Sequence, residues 1–368
     1  MTILLLGGTG AMGVPLANLL AEAGHTVYIT SRKERKSLSA NIKYIQGNAR
    51  DDSFLFDLLS RRGYDAIVDF MHYHTDVFEQ RLSFLLNSTR HYFFLSSCRV
   101  FAPNDNRITE DSDRLLDVSE DKGFLSTDEY ALAKARCENL LFQARSRNWS
   151  IIRPYITYNE ERLQLSMYEK DVWLRRALSG KSIVFSEELA NKKTTLTSGA
   201  DVAKIITYMI QNEVGFGEAF NVVGNDSISW AECLNIYLDK IETETGKRPG
   251  VVWTQDTVTL GRIIGNIYKL RFDRLSNRVF DNSKVVESCN GEIEFETIKH
   301  GLERCLKLFL NSGYKFNECN PVIEGYLDRC SREHSRMSSF HSTKSKFQYL
   351  LVRYLPFITY FYPRQRYW

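Results

Sequence analysis

Residues 2–13 read TILLLGGTGAMG, and this stretch decides the fold. Its first five residues form a short, continuous apolar run, the pattern of a strand covered on both faces. Gly7-Gly8-Thr9-Gly10-Ala11-Met12-Gly13 follows at once, and then an apolar helical pattern, VPLANLLAEAG. Glycines suit this place because the chain must turn sharply, the backbone must approach a ligand, and the helix must pack close to the strand. Free amides and the dipole at the helix start favour an anion. The turn is therefore expected to cradle a pyrophosphate with Gly7, Thr9, Gly10, Ala11, Met12 and Gly13. Its spacing is G-x-x-G-x-x-G rather than G-x-G-x-x-G. Pro15 falls in the first helical turn, where no intrahelical N–H bond is lost.

Further along, short apolar runs at 26–30, 42–46, 66–70, 91–96 and 150–153 alternate with helical patterns at 13–23, 53–62, 77–87 and 127–146. Alternation of this kind predicts stacked βαβ units and a parallel sheet. After Pro154 the pattern is mixed, with helices at 171–178 and 230–243 and short strands at 183–185 and 251–253. A helix at 200–211 and a strand at 219–223 are expected to return to the first sheet. The fold class is α/β, a Rossmann-type doubly wound parallel sheet with a smaller mixed α/β substrate domain. Residues 1–155 form the NAD(P)-binding domain, with 197–224 returning to it. Residues 156–325 are mainly the substrate domain, and 326–368 are a basic, aromatic C-terminal tail.

The chain has 368 residues, 43% hydrophobic and 25% charged, an ordinary globular composition. Its net charge of +3 is too small to argue for nucleic acid. Seven cysteines without a C-x-x-C pair fit reduced thiols in a cytoplasm. The first apolar run ends at Gly7, too soon for a signal-peptide core, and no segment is long and apolar enough to span a bilayer.

About 20 residues beyond the glycine turn, a dinucleotide-binding fold usually places an acidic residue on the adenosine ribose. Here Ser31, Arg32 and Lys33 occupy that place. A hydroxyl and two cations suit a 2′-phosphate, so NADP(H) is favoured over NAD(H), with Arg32 as the gripping group. The competing reading of SRKERK is a solvated basic loop. Tyr130-Ala-Leu-Ala-Lys134 puts a phenol and an ammonium on one helix face. A neighbouring cation favours the phenolate, so a tyrosine whose ordinary pKa is about 10 can serve as a base toward a hydroxyl. Y-x-x-x-K alone also describes an ordinary amphipathic helix. Its position raises its weight, because it follows a strand ending in Ser96-Ser97-Cys98-Arg99-Val100-Phe101, and a serine there lies at the rim where open α/β sheets bind ligands.

Together, Gly7/Gly10/Gly13, Ser97 in an S-S-x-x-V-F context, Tyr130/Lys134 and Arg153-Pro154 resemble the extended and atypical short-chain dehydrogenase/reductases. The likeness is to the NAD(P)-dependent epimerase/dehydratase family and covers roughly residues 1–310. It implies that Ser97 is the catalytic serine, Tyr130 the base, and Lys134 a catalytic lysine that also binds the nicotinamide ribose. Asn48 stands where the family usually has an aspartate near the adenine, and Phe70 and Met71 fall where its fourth strand meets the cofactor. Pro154, Asp201-Val202-Ala203 and Asp281-Asn282-Ser283-Lys284 resemble further elements. Phe101 replaces a usual tyrosine, and the fourth-strand end is bulky.

Ser126-Thr127-Asp128-Glu129 is similar to the T-D-E of sugar-nucleotide dehydratases, but Cys98 and Arg99 hold the place where that triplet acts, which disfavours dehydration. Asp128 and Glu129 are expected in the first turn of the tyrosine helix. His72 and His74 flank Tyr73 without an evident third ligand, so no metal is expected. Their loop borders the expected site. Cys98 is expected to be a buried, inert thiol.

The leading function is an epimerase or reductase acting on a hydroxyl or keto carbon of a nucleotide sugar by Tyr/Lys-assisted hydride transfer. The alternative is a non-catalytic nucleotide-sensing or RNA-associated Rossmann protein. The segment 326–368 carries eight Lys/Arg against Asp328 and Glu333, with Tyr349, Tyr354, Phe357, Tyr360, Phe361, Tyr362, Tyr367 and Trp368 among them. Aromatic rings and cations suit a peripheral membrane contact. The other reading docks the segment on its own substrate domain or on the second subunit of a homodimer.

Overall fold

A computed structural model describes residues 1–313, 316–355 and 357. Among these, β1 (Thr2–Leu6), β2 (Thr26–Ser31), β3 (Ile42–Gln46), β4 (Tyr64–Asp69), β5 (Thr89–Leu95), β6 (Trp149–Pro154) and β7 (Glu218–Val222) form one sheet. Their order is β7-β6-β5-β4-β1-β2-β3, and every neighbouring pair is parallel. The strand order reverses at β1, so a crevice opens between the carboxyl ends of β1 and β4.

Alternate residues of β1 explain why the run is continuously apolar. Ile3 and Leu5 join a core with α1 (Gly13–Glu22), and Leu4 and Leu6 face a core with α2 (Asp52–Ser60) and α3 (Thr75–Asn87). The helix α4 (Tyr130–Gln143) contributes Cys137 and Leu141 to that second face.

β4 and β5 begin two residues earlier than their apolar patterns suggest, because Tyr64 and Thr89 pair in register. The tyrosine helix starts at Tyr130, not near Thr127, and Asp128 and Glu129 lie outside its first turn. Asp128 instead accepts from Thr75 N at 2.9 Å and Thr75 Oγ1 at 2.8 Å at the start of α3. Glu129 is the cap of α4, accepting from Ala131 N at 2.8 Å.

Downstream, α5 (Lys170–Leu178), α7 (Trp230–Thr245) and α8 (Ile298–Asn311) enclose a second core around Trp173, Trp230, Tyr237, Leu302 and Phe309. Ile183–Ser186 and Val251–Thr254 pair beside it as short parallel strands. Between α5 and α7 the chain returns to the large sheet through α6 (Gly199–Asn212) and β7, and α6 packs on α1.

Residue 326 does not begin a tail. It lies inside α9 (Pro321–Ser331), against which α10 (Thr343–Tyr354) packs, and Tyr326, Leu327 and Val352 belong to the second core. Charge closes this joint. The buried Arg176 guanidinium donates to Glu324 at 2.8 Å, Asp328 at 2.7 Å and Glu333 at 3.0 Å, and Lys181 reaches Asp328 at 2.8 Å. Tyr349 Oη donates to Asp328 at 2.8 Å. Thus the described part of 326–368 docks on its own chain. Tyr360, Phe361, Tyr362, Tyr367 and Trp368 lie outside the described residues. No described helix is long and apolar enough to cross a membrane.

Arg176→Met strands buried carboxylates and should lower the unfolding free energy by about 3–5 kcal/mol in urea titrations at pH 7. Burial would raise the Asp328 pKa, but Lys181 and Arg176 hold it below the usual carboxylate value. Stability from such a depressed carboxylate is present above its unfolded pKa and lost as pH falls through the folded one. The deficit of the variant should therefore shrink below about pH 4.

Candidate active site

Gly7 adopts φ +71°, and its amide donates to Thr30 Oγ1 at 2.9 Å, which fixes the exit from β1. A Cβ at Gly13 would stand 2.5 Å from the Gly8 backbone, so only glycine lets α1 begin this close to the strand. Gly10 faces open space, and among the described residues the amides of Gly10, Ala11 and Met12 donate to no protein acceptor. A bare turn with amides at a helix start fits a pyrophosphate.

This turn lines one end of a cavity of about 710 Å³ at the carboxyl ends of the strands. The cavity brings together Gly7, Gly10, Ala11, Met12, Gly13, Phe70, Ser97, Tyr130, Lys134 and Pro154. Thr9, Ser31, Arg32, Asn48 and Met71 do not line it. Thr9 N donates to Gly7 O within the turn. Ser31 is buried at the end of β2, whereas Arg32 is exposed. Asn48 is exposed beyond β3, its Oδ1 accepting from Arg50 N at 3.2 Å. Met71 packs near Gly7, where a Cβ would stand 2.8 Å from its sulfur.

Lys134 is only 3% exposed. Its Nζ donates to Met71 O at 3.0 Å and Leu95 O at 2.6 Å, bridging the ends of β4 and β5. Asp69, fully buried at the end of β4, holds the same loop by accepting from Met71 N at 2.8 Å, Tyr73 Oη at 2.7 Å and Tyr92 Oη at 2.8 Å. Burial raises its pKa despite those donors. On the other flank of α4, buried Glu138 accepts from Ser96 Oγ at 2.6 Å and pairs with Arg153 at 2.8 Å, tying the helix to the ends of β5 and β6.

Ser97 is buried and opens a short 3-10 turn by accepting from Arg99 N at 3.2 Å. His72 stacks on the Tyr130 ring at 5.2 Å, and burial, reinforced by Lys134, pushes its imidazole down to about 4, so it is neutral at pH 7. Arg99 places its guanidinium carbon 5.1 Å from the Tyr130 ring centroid. Burial likewise raises the Cys98 thiol well above its ordinary value and keeps it protonated. Among the described residues no cluster of three or more His, Cys, Asp or Glu side chains could hold a metal.

Sequence reasoning did not place Arg99, Gln164, Glu169, Asn266, Lys269 and Arg274 in the site, yet all line this cavity. Only Arg99 carried a local signal, its position two residues after Ser97. Ile156 also lines the cavity, at φ 35°, a strained conformation for a β-branched residue at the entry to the second unit.

The family model described as NAD dependent epimerase/dehydratase family matches residues 3–223. The chain is 23% identical over 242 residues to the chloroplast stem-loop binding protein of 41 kDa b of Arabidopsis thaliana, covering 62% of this chain and spanning 60% of that relative. The Bordetella bronchiseptica enzyme WbmH, solved in complex with NAD+, superposes with TM-score 0.63 at 14% identity, over 85% of this chain and 99% of that one. UDP-glucuronic acid 4-epimerase from Bacillus cereus, solved with UDP-glucuronic acid and NAD, gives 0.64 at 15% identity, over 85% and 100%. These likenesses establish the shared fold.

Gly13→Val should push the start of α1 away from the glycine turn and weaken binding of NAD+ or NADP+ at least about tenfold, near 1.4 kcal/mol, in a variant whose thermal unfolding stays cooperative. Gly63→Ala, where a Cβ meets open space, is the control in the same fluorescence titration.

Proposed function

Because the chain belongs to the NAD dependent epimerase/dehydratase family, we propose that it is an NAD(P)-dependent epimerase or reductase acting on a hydroxyl or keto carbon of a nucleotide sugar. The observation that carries this reading is the presence of Ser97, Tyr130, Lys134 and the glycine turn in one cavity. A bound nicotinamide dinucleotide would supply the hydride acceptor and donor. Tyr130 takes the proton of the reacting sugar hydroxyl, or returns it to the keto oxygen in the reverse direction. Ser97, held at the end of β5, orients that oxygen. Lys134, one turn from Tyr130 on α4, places its ammonium in the lining of the same cavity, where it can meet the nicotinamide ribose. The neutral His72 packs against the tyrosine ring and helps to set its direction. An epimerase and a reductase differ in whether the keto sugar turns over inside the cavity before it regains hydrogen.

We assign NADP(H) as the preferred cofactor, with NAD(H) the alternative. Arg32 is exposed and makes no hydrogen bond or ion pair among the described residues, so its guanidinium is available to a 2′-phosphate. The bacterial neighbours named above were solved with NAD, which is the observation on the other side.

A second reading, a non-catalytic nucleotide-sensing or RNA-associated protein, draws on the name of the chloroplast relative. The intact Tyr130/Lys134 pair in the cavity favours the enzyme. A gel-shift titration with a stem-loop RNA separates the two: tight binding without turnover of any nucleotide sugar would favour the second reading.

Tyr130→Phe keeps the ring and removes the proton-transfer group. Turnover of a nucleotide sugar that the wild type converts should fall at least about 10²-fold, with cofactor affinity little changed. Turnover near that of the wild type would contradict the assignment. Arg32→Asp should shift preference from NADP(H) toward NAD(H) in paired titrations. An unchanged preference would mark Arg32 as a solvated surface residue.

A further inference from the structure

Beside Tyr130 the cavity wall carries a dense charge cluster. Arg99 donates to Glu129 at 2.7 Å and lies 3.5 Å from Asp273. Asp273 also pairs with Arg274 and, at 3.2 Å, with Arg278, and accepts from Tyr155 Oη at 2.8 Å. Burial would raise the Asp273 pKa, but Arg274, Arg278 and Arg99 hold it down, so this carboxylate stays ionised and committed to its guanidiniums.

Lys269 lines the same cavity with Arg99, Arg274 and Asn266. Among the described residues no hydrogen bond or ion pair reaches its ammonium. The charged groups that face it are Arg274, Glu169, Arg99 and Asp273. Counting Arg278, four cations meet the three carboxylates Glu129, Asp273 and Glu169, so the cluster holds one positive charge in excess. Burial and the guanidinium of Arg274 push the Lys269 ammonium down to about 7. Lys269 is half-buried, and a cation facing the cavity there gains from a counter-charge.

We propose that Lys269 is a specificity-determining residue that receives an anionic oxygen group carried by the sugar end of the substrate, a hexuronate carboxylate in preference to a neutral hydroxymethyl. The inference rests on the nucleotide-sugar reading. Location assigns the anion to the sugar rather than to the nucleotide diphosphate. Arg99, a member of the cluster, sits against the reacting Tyr130 ring, whereas the exposed Arg162 stands at the cavity rim, where a diphosphate can meet it. Gln164, whose amide donates to Glu169, and Asn266, whose Oδ1 accepts from Lys269 N at 2.8 Å, add uncharged polar groups to the same cavity lining. Bringing the carboxylate in restores the missing counter-charge and favours the protonated amine, so binding above pH 7 takes up a proton.

The test uses the full chain saturated with NAD+ and measures binding of UDP-glucuronate, UDP-glucose and UDP calorimetrically at pH 8 in two buffers of different ionisation heat. Wild type should bind UDP-glucuronate at least about tenfold more tightly than UDP-glucose, with proton uptake for the acid alone. Lys269→Met should abolish both the preference and the uptake, and Lys269→Arg should restore the preference without uptake. Equal weakening of all three ligands by Lys269→Met would move the contact to the diphosphate and overturn the proposal. A preference that survives in Lys269→Met would overturn it as well. If none of the three binds wild type, the nucleotide-sugar reading fails. The anion receptor is then judged by whether glucuronate, but not glucose, protects Lys269 from an amine-acylating reagent at pH 7, as read by mass spectrometry. Equal protection, or none, overturns it.

Discussion

A lysine ammonium buried to 3% exposure has to be held, and in this chain two backbone carbonyls hold it. Leaving such a charge unpaired would cost several kcal/mol, so Met71 O and Leu95 O are not incidental contacts. They draw the ends of β4 and β5 toward α4 and thereby fix where Tyr130, Ser97 and the 70–73 loop stand relative to one another. Asp69 secures one side of this arrangement through Met71, Tyr73 and Tyr92, and Glu138 secures the other through Ser96 and Arg153. Around α4 these buried polar groups satisfy one another, which ties the ends of β4, β5 and β6 to the helix.

The glycine turn and the second core complete the cavity from opposite ends. At the first end the wall is backbone amide and bare glycine, suited to an anion on a helix dipole. At the other, Arg99, Arg274 and Lys269 form a positive wall behind the tyrosine, and Asp273 stitches the arginines together across two segments far apart in sequence. In the proposed reading the large sheet supplies the cofactor end and the proton-transfer groups, and the second unit supplies most of the charge that selects a substrate.

How much of this was legible followed from how local each signal was. Thr2–Leu6, the glycine turn and the Tyr130/Lys134 spacing are consecutive or one helical turn apart, so periodicity and turn chemistry reveal them. The starts of β4 and β5 were hidden because their first residues, among them Asp65 and Arg90, are polar and are strand only by pairing. The start of α4 was misplaced because Asp128 serves the beginning of α3, a choice that only the tertiary structure makes. Residues 326–368 read as a basic tail because what buries their described part, Arg176 and Lys181 against Asp328 and the second core around Tyr326, Leu327 and Val352, comes from segments far away in sequence. Lys269 and Arg274 were invisible for the same reason: a lone lysine and a lone arginine acquire meaning only when the chain brings them beside Tyr130.

In the proposed reading one cavity receives a nicotinamide dinucleotide with its reactive end at Lys134 and Tyr130. Isothermal titration of the purified full chain with NAD+ and with NADP+, repeated on Lys134→Met, tests this most directly. The account predicts one saturable site per chain for at least one of the two dinucleotides, and clear weakening in the variant while its thermal unfolding remains cooperative. Absence of binding by wild type to either dinucleotide, or a folded variant that binds with unchanged affinity, would contradict it.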